Sequence, residues 1–368
     1  MPRILFVAGD PSGDQHAARV AAEAKARGAE ILAAGGPALK SVADRWLGDL
    51  VSQGVMGFLE PIKKIPFFVH FLNRVLRPAL AEFKPDVVVP TDFYGFNRFV
   101  AKAAKAAGSR VCYFVSPQVW ASRPGRIQTL KACVDRMLVI FPFEEKLYRE
   151  AGVPVTFVGH PLLDLLPDTR GERPLRVEPT VGLLPGSRAG EVSRLLPVFL
   201  KAADRLPAGT RFVLFAAPTL PNIFYDRFLE TGRSRAHLIE VVRDENYEWR
   251  RGVDVALACS GTATLENALL GLPTVVAYKT SWPTYLLART LVRVKHIAMP
   301  NILAGETVMP EFIQSNATPD SLAGALRAHL SNPPECRRVR GHLLSLREQL
   351  GGAGAAVRAA EAILREAA

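Results

Sequence analysis

Two turns in the second half of the chain carry residues suited to holding an anion. In LLPGSRAGEV, Leu183 to Val192, an apolar run stops at Pro185-Gly186, and Ser187-Arg188-Ala189 opens a helix-periodic stretch. In ALACSGTATLENALLGLPTVV, the run Val255–Ala258 gives way to Ser260-Gly261-Thr262 and then to a helix from about Ala263. A strand that turns through small residues into a helix N-terminus presents backbone N–H groups to negative charge. Arg188 adds a cation at the first turn, and Ser260 and Thr262 add hydroxyls at the second. Glu266, one turn into the second helix, could accept hydrogen bonds from the two hydroxyls of a ribose. A glutamate there is also simply favourable with the helix dipole. Together the two turns suit a nucleoside diphosphate. No Walker-type G-K-[ST] sequence is present, so ATP hydrolysis is not indicated.

The first half carries carboxylates at comparable places. The opening apolar run ends in GDPSGD, Gly9 to Asp14, which lacks G-x-G-x-x-G and points two acids into its turn. Those acids would repel a pyrophosphate, which weighs against a redox dinucleotide. Asp10 or Ser12 there either caps the helix or meets a neutral sugar hydroxyl. In KPDVVVPTDFYGFN, Asp92 follows a fully apolar strand, where shielding would raise its pKa and suit it to proton abstraction. The ordinary alternative is a helix cap. In VSPQVWASRPGR, Trp120 with Arg123 and Arg126 could stack on a sugar and hold a phosphate, or be a packed loop with solvated arginines.

The elements that must position these residues read as strands alternating with helices. Expected strands are Ile4–Ala8, Ile31–Ala34, Val87–Val89, Val111–Val115, Met137–Ile140 and Val155–Val158, then Val181–Leu184, Phe212–Phe215, Leu238–Val242, Val255–Ala258 and Thr274–Ala277. Helical patterns include Gln15–Ala26 and Tyr94–Ala107, each followed by glycine. This alternation argues for an α/β protein of two Rossmann-like doubly wound domains facing a central cleft. Residues 165–180, rich in proline and charge, read as the linker. The domains are expected at 1–165 and 175–344, with a C-terminal helix of about 345–368 free to pack back onto the first.

The chain has 368 residues, 49% of them apolar, and no low-complexity tract, which fits one large or two ordinary globular domains. The N-terminal apolar run is too short for a signal-peptide core, and no apolar run is long enough for a membrane span. Cys112, Cys133, Cys259 and Cys336 are scattered without a C-x-x-C pair, as expected of reduced thiols in a cytoplasmic protein with no zinc site. The net charge of +11 favours acidic partners: nucleic acid, anionic lipid or phosphorylated small molecules. Residues 58–83 mix Phe67, Phe68, Phe71, Leu72 and Val75 with Lys63, Lys64, Arg74 and Arg77. This reads either as a core-facing helix or as a surface that lies on anionic lipid.

Taken in order, GDPSGD, VMGFLE (Val55–Glu60), TDFYGFN, VSPQVWA, FPFEEKLY, VGHPLLD, LLPGSRAGEV, CSGTATLENALLGLPTVVAY and MPNILAG (Met299–Gly305) resemble the lipid-A-disaccharide synthase family. The resemblance runs from the first strand to about Gln314. It implies the GT-B glycosyltransferase fold. It also implies an inverting transfer from UDP-2,3-diacylglucosamine to 2,3-diacylglucosamine 1-phosphate, releasing UDP, with no cofactor and no required metal. Arg188, Glu266, Asn301 and Gln314 would belong to the donor site, Asp92 would be the essential acid, and Asp10, Ser12 and Met56 would lie near the acceptor or the cleft. Location would be cytoplasmic and peripheral to the inner membrane, with no nucleic-acid partner and with homodimerisation left open.

The sequence departs from the family in its first half. Phe93-Tyr94-Gly95 stands where alanine-proline-aspartate is usual, Asp10 where glutamate is, and Ser122 where tryptophan follows WA. Donor chemistry is thus better marked than acceptor identity. The rival readings are another GT-B UDP-sugar enzyme (a transferase to a different lipid, or an epimerase), a nucleic-acid-binding protein and a Rossmann oxidoreductase. The absent G-x-G-x-x-G and the absence of a clustered basic stripe weigh against the last two.

Overall fold

A computed structural model describes residues 1–53, 60–122, 124–167, 178–232, 239–244, 246–292 and 294–368, with the side chains of 60–63, 231, 232, 287 and 291 left aside. The chain divides into two compact units, Met1–Asp164 with Leu350–Ala368, and Leu165–Gln349. The helix Pro333–Gln349 stays whole in the second unit, and the return to the first begins just after it.

The first unit holds β1 (Arg3–Ala8), β2 (Glu30–Gly35), β3 (Arg45–Asp49), β4 (Val87–Thr91), β5 (Arg110–Phe114), β6 (Arg136–Val139) and β7 (Val155–Phe157). They form one parallel sheet in the order β3-β2-β1-β4-β5-β6-β7. Ile4 to Ala8 and Val87 to Thr91 are buried throughout, as continuous apolar strands covered by helices on both faces must be. The helix Ala355–Ala367 closes this unit. The Asp164 carboxylate accepts from the amides of Gly354, Ala355 and Ala356 at its start, and Glu366 near its end takes Arg110 and Arg136.

The second unit holds β8 (Thr180–Leu184), β9 (Arg211–Phe215), β10 (Ile239–Val242), β11 (Val255–Cys259), β12 (Thr274–Tyr278) and β13 (Glu311–Ile313). Their order is β10-β9-β8-β11-β12-β13, again all parallel. Each sheet reverses its strand order once, between β1 and β4 and between β8 and β11. At such a switch point the connections leave on opposite faces, and the crevice past the strands' carboxyl ends takes ligands.

The eleven strands expected from apolar runs are all present, and two more join them. β3, RWLGD, is a polar, exposed edge strand, and β13 has three residues, so neither makes an apolar run. The first helix starts at Pro11 rather than Gln15, because Asp10 caps it and proline is well suited to the first turn.

Candidate functional site

Of the five turns singled out by their chemistry, four follow the switch-point strands: Asp10 after β1, Asp92 after β4, Ser187-Arg188 after β8 and Ser260-Gly261-Thr262 after β11. The fold thus brings them to the ligand-binding edge of each sheet, two in each unit.

In the first unit, Asp92 and Phe93 both have φ of 43°. Two successive left-handed residues other than glycine are strained, and such strain persists only where the surroundings fix it. Here the surroundings are specific. The Asn97 amide donates to the Asp92 and Thr91 carbonyls at 2.9 and 3.0 Å and reaches Val7 of β1 at 3.4 Å. The Tyr113 hydroxyl also donates to the Asp92 carbonyl, and the Asp92 amide donates to Phe114. The Phe93 ring lies over Gly9, where a Cβ would come within 2.2 Å of it, so the turn requires glycine at the end of β1. With its backbone so held, the Asp92 carboxyl is desolvated. Burial first, then the Asp10 charge, push its pKa up to about 7 against the pull of the Phe93 amide.

Asp10 does cap its helix: one oxygen accepts from the Gly13 amide and the Ser12 hydroxyl, at 2.9 and 2.7 Å. Its other oxygen, Oδ1, is buried without a partner among the described residues. Capping therefore uses half of this carboxylate, and Ser12 is turned toward it. Asp14, the second acid of the motif, is spent on the amides of Gly36, Ala38 and Leu39. His16, which sequence reading passed over, lies close to Asp10, with Nδ1 buried and without a partner among the described residues. Burial brings its pKa down to about 4, so it is neutral.

The VSPQVWA loop after β5 is held by a residue that sequence reading also missed. Glu144, fully buried in the helix Pro142–Glu150, accepts from the Ser116 hydroxyl at 2.6 Å, the Trp120 indole at 3.1 Å and the Phe141 amide at 3.3 Å. Trp120 also packs edge-on against Phe143, so its ring is half-buried and fixed. Arg126 lies over the Tyr94 ring, whereas Arg123 and Met56 fall outside the described residues. The signal for Glu144 was its register: third in a helix that begins at Pro142, it reaches back to its own cap.

Burial pushes Glu144 up to about 7, so between about 4.5 and 7 the folded chain holds its proton and the unfolded chain does not. On this group's account stability falls as pH rises through that window. Glu144→Gln should flatten the pH dependence of Tm there, and slopes equal to those of the unchanged protein would remove Glu144 as the titrating group.

The helix Glu60–Phe71 has both a core-facing and an outward side. Phe71 is buried, and Phe68 packs on Phe93 and Phe96 with ring centroids 5.5 and 5.1 Å apart. These phenylalanines buttress the Asp92 turn rather than face outward. The outward apolar residues are Ile65 and Val69, about half exposed and one turn apart.

In the second unit, Gly186 has φ of 120°, and a Cβ there would lie 2.7 Å from Glu191 Oε2. Glu191 folds back over the turn, accepting from the Ser187 amide at 3.2 Å and from Arg188 at 3.0 Å. Arg188 itself is more than half exposed. A carboxylate thus spans the donors that an anion would use.

After β11 the Ser260 hydroxyl donates to the Ile297 carbonyl at 3.0 Å, so Ser260 fixes the turn while Gly261 and Thr262 open the helix Thr262–Leu269. Glu266 is clamped by Arg250 and reached by the Tyr247 hydroxyl at 3.4 Å. A carboxylate accepts about four hydrogen bonds, so capacity for two hydroxyls remains. Arg250 also faces Asp244 at 3.5 Å.

Asn301 and Gln314 use their amides to grip neighbouring chain. Asn301 donates to Met309 and Glu311 and accepts from the amides of Val308 and Met309, which uses its whole hydrogen-bonding capacity. Glu311 in turn holds the Ile297 and Ala298 amides, beside the carbonyl that takes Ser260. Gln314, with φ of 54°, grips both backbone groups of Thr280. Asn301 thus positions the turn after β11, and Gln314, whose amide has two donors and two acceptor sites, uses one of each on Thr280 after β12. Among the described residues no three His, Cys, Asp or Glu side chains gather to hold a metal.

Comparison with known proteins bears on this arrangement. Residues 4–363 match the family described as lipid-A-disaccharide synthetase. A lipid-A-disaccharide synthase of Syntrophus aciditrophicus is 42% identical over 97% of this chain and 96% of its own. That of Myxococcus xanthus is 40% identical over 99% and 97%. Among solved structures, MurG of Acinetobacter baumannii superposes with a TM-score of 0.66 at 15% identity, covering 99% of this chain and 100% of its own. A UDP-GlcNAc 2-epimerase of Neisseria meningitidis, solved with UDP-GlcNAc bound, gives 0.59 at 13% over 99% of each. At such identities the likeness speaks to the fold, which is of GT-B type.

Proposed function

The chain belongs to the lipid-A-disaccharide synthase family and is a glycosyltransferase of lipid A disaccharide formation, and we propose that it joins UDP-2,3-diacylglucosamine to 2,3-diacylglucosamine 1-phosphate. The UDP moiety sits in the second unit, its diphosphate at Arg188 and the amides after β8 and β11, its ribose at Glu266. Thr262 and Gly261 line the turn after β11, which Ser260 and Asn301 hold, while Gln314 holds Thr280 after β12. The acceptor binds in the first unit by Asp92, Asp10, Ser12 and Trp120, a surface to which Met56 and Arg123 belong by sequence.

The observation that carries the chemistry is the desolvated, backbone-locked Asp92 carboxyl at the switch point of β1 and β4. As the acceptor hydroxyl oxygen attacks the anomeric carbon, its proton passes to Asp92 and the bond from that carbon to the UDP oxygen breaks. Charge then grows on the departing diphosphate, where Arg188 and the helix N-termini stabilise it. A single displacement of this kind inverts the anomeric configuration. The test is UDP release from the acylated donor. It should require the acylated acceptor and yield a β-linked disaccharide phosphate. Conversion of the UDP-sugar to its 2-epimer without acceptor would instead favour the epimerase reading.

Substrates with two acyl chains reside in lipid, and the helix Glu60–Phe71 offers a face for it. Ile65 and Val69 project outward, with exposed Arg74 and Arg77 in the continuation of the same helical segment. Among the described residues no helix is long and apolar enough to cross a membrane, and the contact proposed is with the membrane surface. Ile65→Ser/Val69→Ser should lower the fraction bound to anionic vesicles severalfold at unchanged Tm. Undiminished binding would remove this face from the membrane contact. Phe67, Phe68 and Phe71 are unsuitable for the test, because they support the Asp92 turn.

A further inference from the structure

The helix Trp282–Leu291, in the second unit, carries large apolar side chains in water. Trp282 is 59% exposed and Leu286, one turn on, 57%, with Val292 just past the helix end at 42%. The Ser281 side chain caps the helix by accepting from the Thr284 amide, so its start is fixed. Tyr285 meets Trp282 edge-on at 5.8 Å, and Arg289, two turns from Trp282, places its guanidinium over the Tyr285 ring. One stripe of the helix is therefore tryptophan, leucine and arginine. Exposed apolar residues scattered singly need no account, but a contiguous stripe marks a contact.

Along the chain, the charge around this helix is of one sign. No aspartate or glutamate occurs between Glu266 and Glu306, while Lys279, Arg289, Arg293 and Lys295 do. Arg289 and Lys295 are exposed. A cationic face meeting its own copy would repel itself, whereas an anionic surface is attracted. Tryptophan is at home where an apolar layer meets water, and arginine extends its stem along apolar surface while its head stays solvated. A helix of ten residues is about 15 Å long, too short to cross a bilayer but suited to lying in its headgroup region.

We propose that the helix Trp282–Leu291 is a docking surface for an anionic lipid bilayer, carried by the unit that binds the nucleotide. The inference rests on the reading that the enzyme draws acylated substrates from a membrane, and it adds a contact distinct from Ile65 and Val69. Trp282 and Leu286 enter the interfacial layer, and Arg289 and Lys295 meet the headgroup phosphates.

The test uses the whole protein and vesicles of phosphatidylglycerol with phosphatidylcholine, against phosphatidylcholine alone. Trp282→Ser/Leu286→Ser and Arg289→Glu/Lys295→Glu should each lower partitioning onto the anionic vesicles about tenfold, the order expected from loss of two interfacial contacts. UDP-induced thermal stabilisation should be unchanged in both, showing a folded nucleotide site. Binding equal to that of the unchanged protein, while Ile65→Ser/Val69→Ser loses binding, would overturn this surface and leave the membrane reading standing. No binding by the unchanged protein would overturn both. Unchanged vesicle binding together with loss of a dimer in sedimentation equilibrium would give the face to a second copy of the chain instead.

Discussion

Replacing Asp92 by asparagine should lower kcat about a hundred- to ten-thousand-fold, the range lost with a general base, while UDP affinity stays near that of the unchanged protein. Asparagine keeps the size of the side chain, and the contacts that lock the turn are made by the backbone carbonyl and amide of residue 92. The loss would therefore report the proton acceptor and not a collapsed turn. A second readout is pH. Burial and Asp10 place the Asp92 pKa at about 7, and only the carboxylate can take a proton, so kcat should fall as pH drops through about 7. In Asp10→Asn the neighbouring charge disappears, the cap on Gly13 is kept by the amide oxygen, and that limb should move to lower pH. A near-normal rate for Asp92→Asn beside a collapse for Asp10→Asn would transfer the role to Asp10, whose buried Oδ1 has no partner among the described residues to hold it back.

What could be read in the sequence divides along a physical line. Strands buried on both faces are apolar runs, and the turns that follow them at a switch point are short, so Asp10, Asp92, Arg188 and the Ser260-Gly261-Thr262 turn could be singled out one by one. That they lie at the two order reversals could not, because strand order is a long-range property. Side-chain direction was also hidden. Phe67 and Phe68 sit in the same apolar, basic stretch as Ile65 and Val69, yet Phe68 packs on Phe93 and Phe96, Phe67 packs on Phe68 and Phe71, and Ile65 and Val69 face water. Residues that hold other residues were the least visible. Glu144, Glu191, Arg250 and Glu311 look like ordinary surface charges in sequence, and each acts through a partner brought from elsewhere in its unit or turned back on its own helix. Asn301 and Gln314 were noticed by resemblance, and the backbone groups they grip could not be read from it.

The Arg188 turn leads to the other large effect. Glu191 accepts from Arg188 and the Ser187 amide, donors that also suit a diphosphate. Binding must then exchange one anion for another, with the helix N-terminus serving both. A hydrogen bond to a charged group contributes about 1.5–3 kcal/mol, so Arg188→Ala should weaken UDP binding about ten- to a hundredfold and remove most of the UDP-induced rise in Tm. Its effect on turnover should be larger than on binding, because charge on the diphosphate grows as the bond to the anomeric carbon breaks. Loss of one such donor typically costs about a hundred- to a thousandfold in kcat. Arg188→Lys should recover only part of this, since an ammonium cannot bridge two phosphate oxygens in a fixed plane. Glu191→Gln supplies the opposite sign: removing the competing charge should tighten UDP severalfold while the glutamine oxygen still accepts from Ser187. If Arg188→Ala kept the full thermal shift with UDP, or Glu191→Gln weakened it as much as Arg188→Ala does, the diphosphate would have to lie away from the turn after β8.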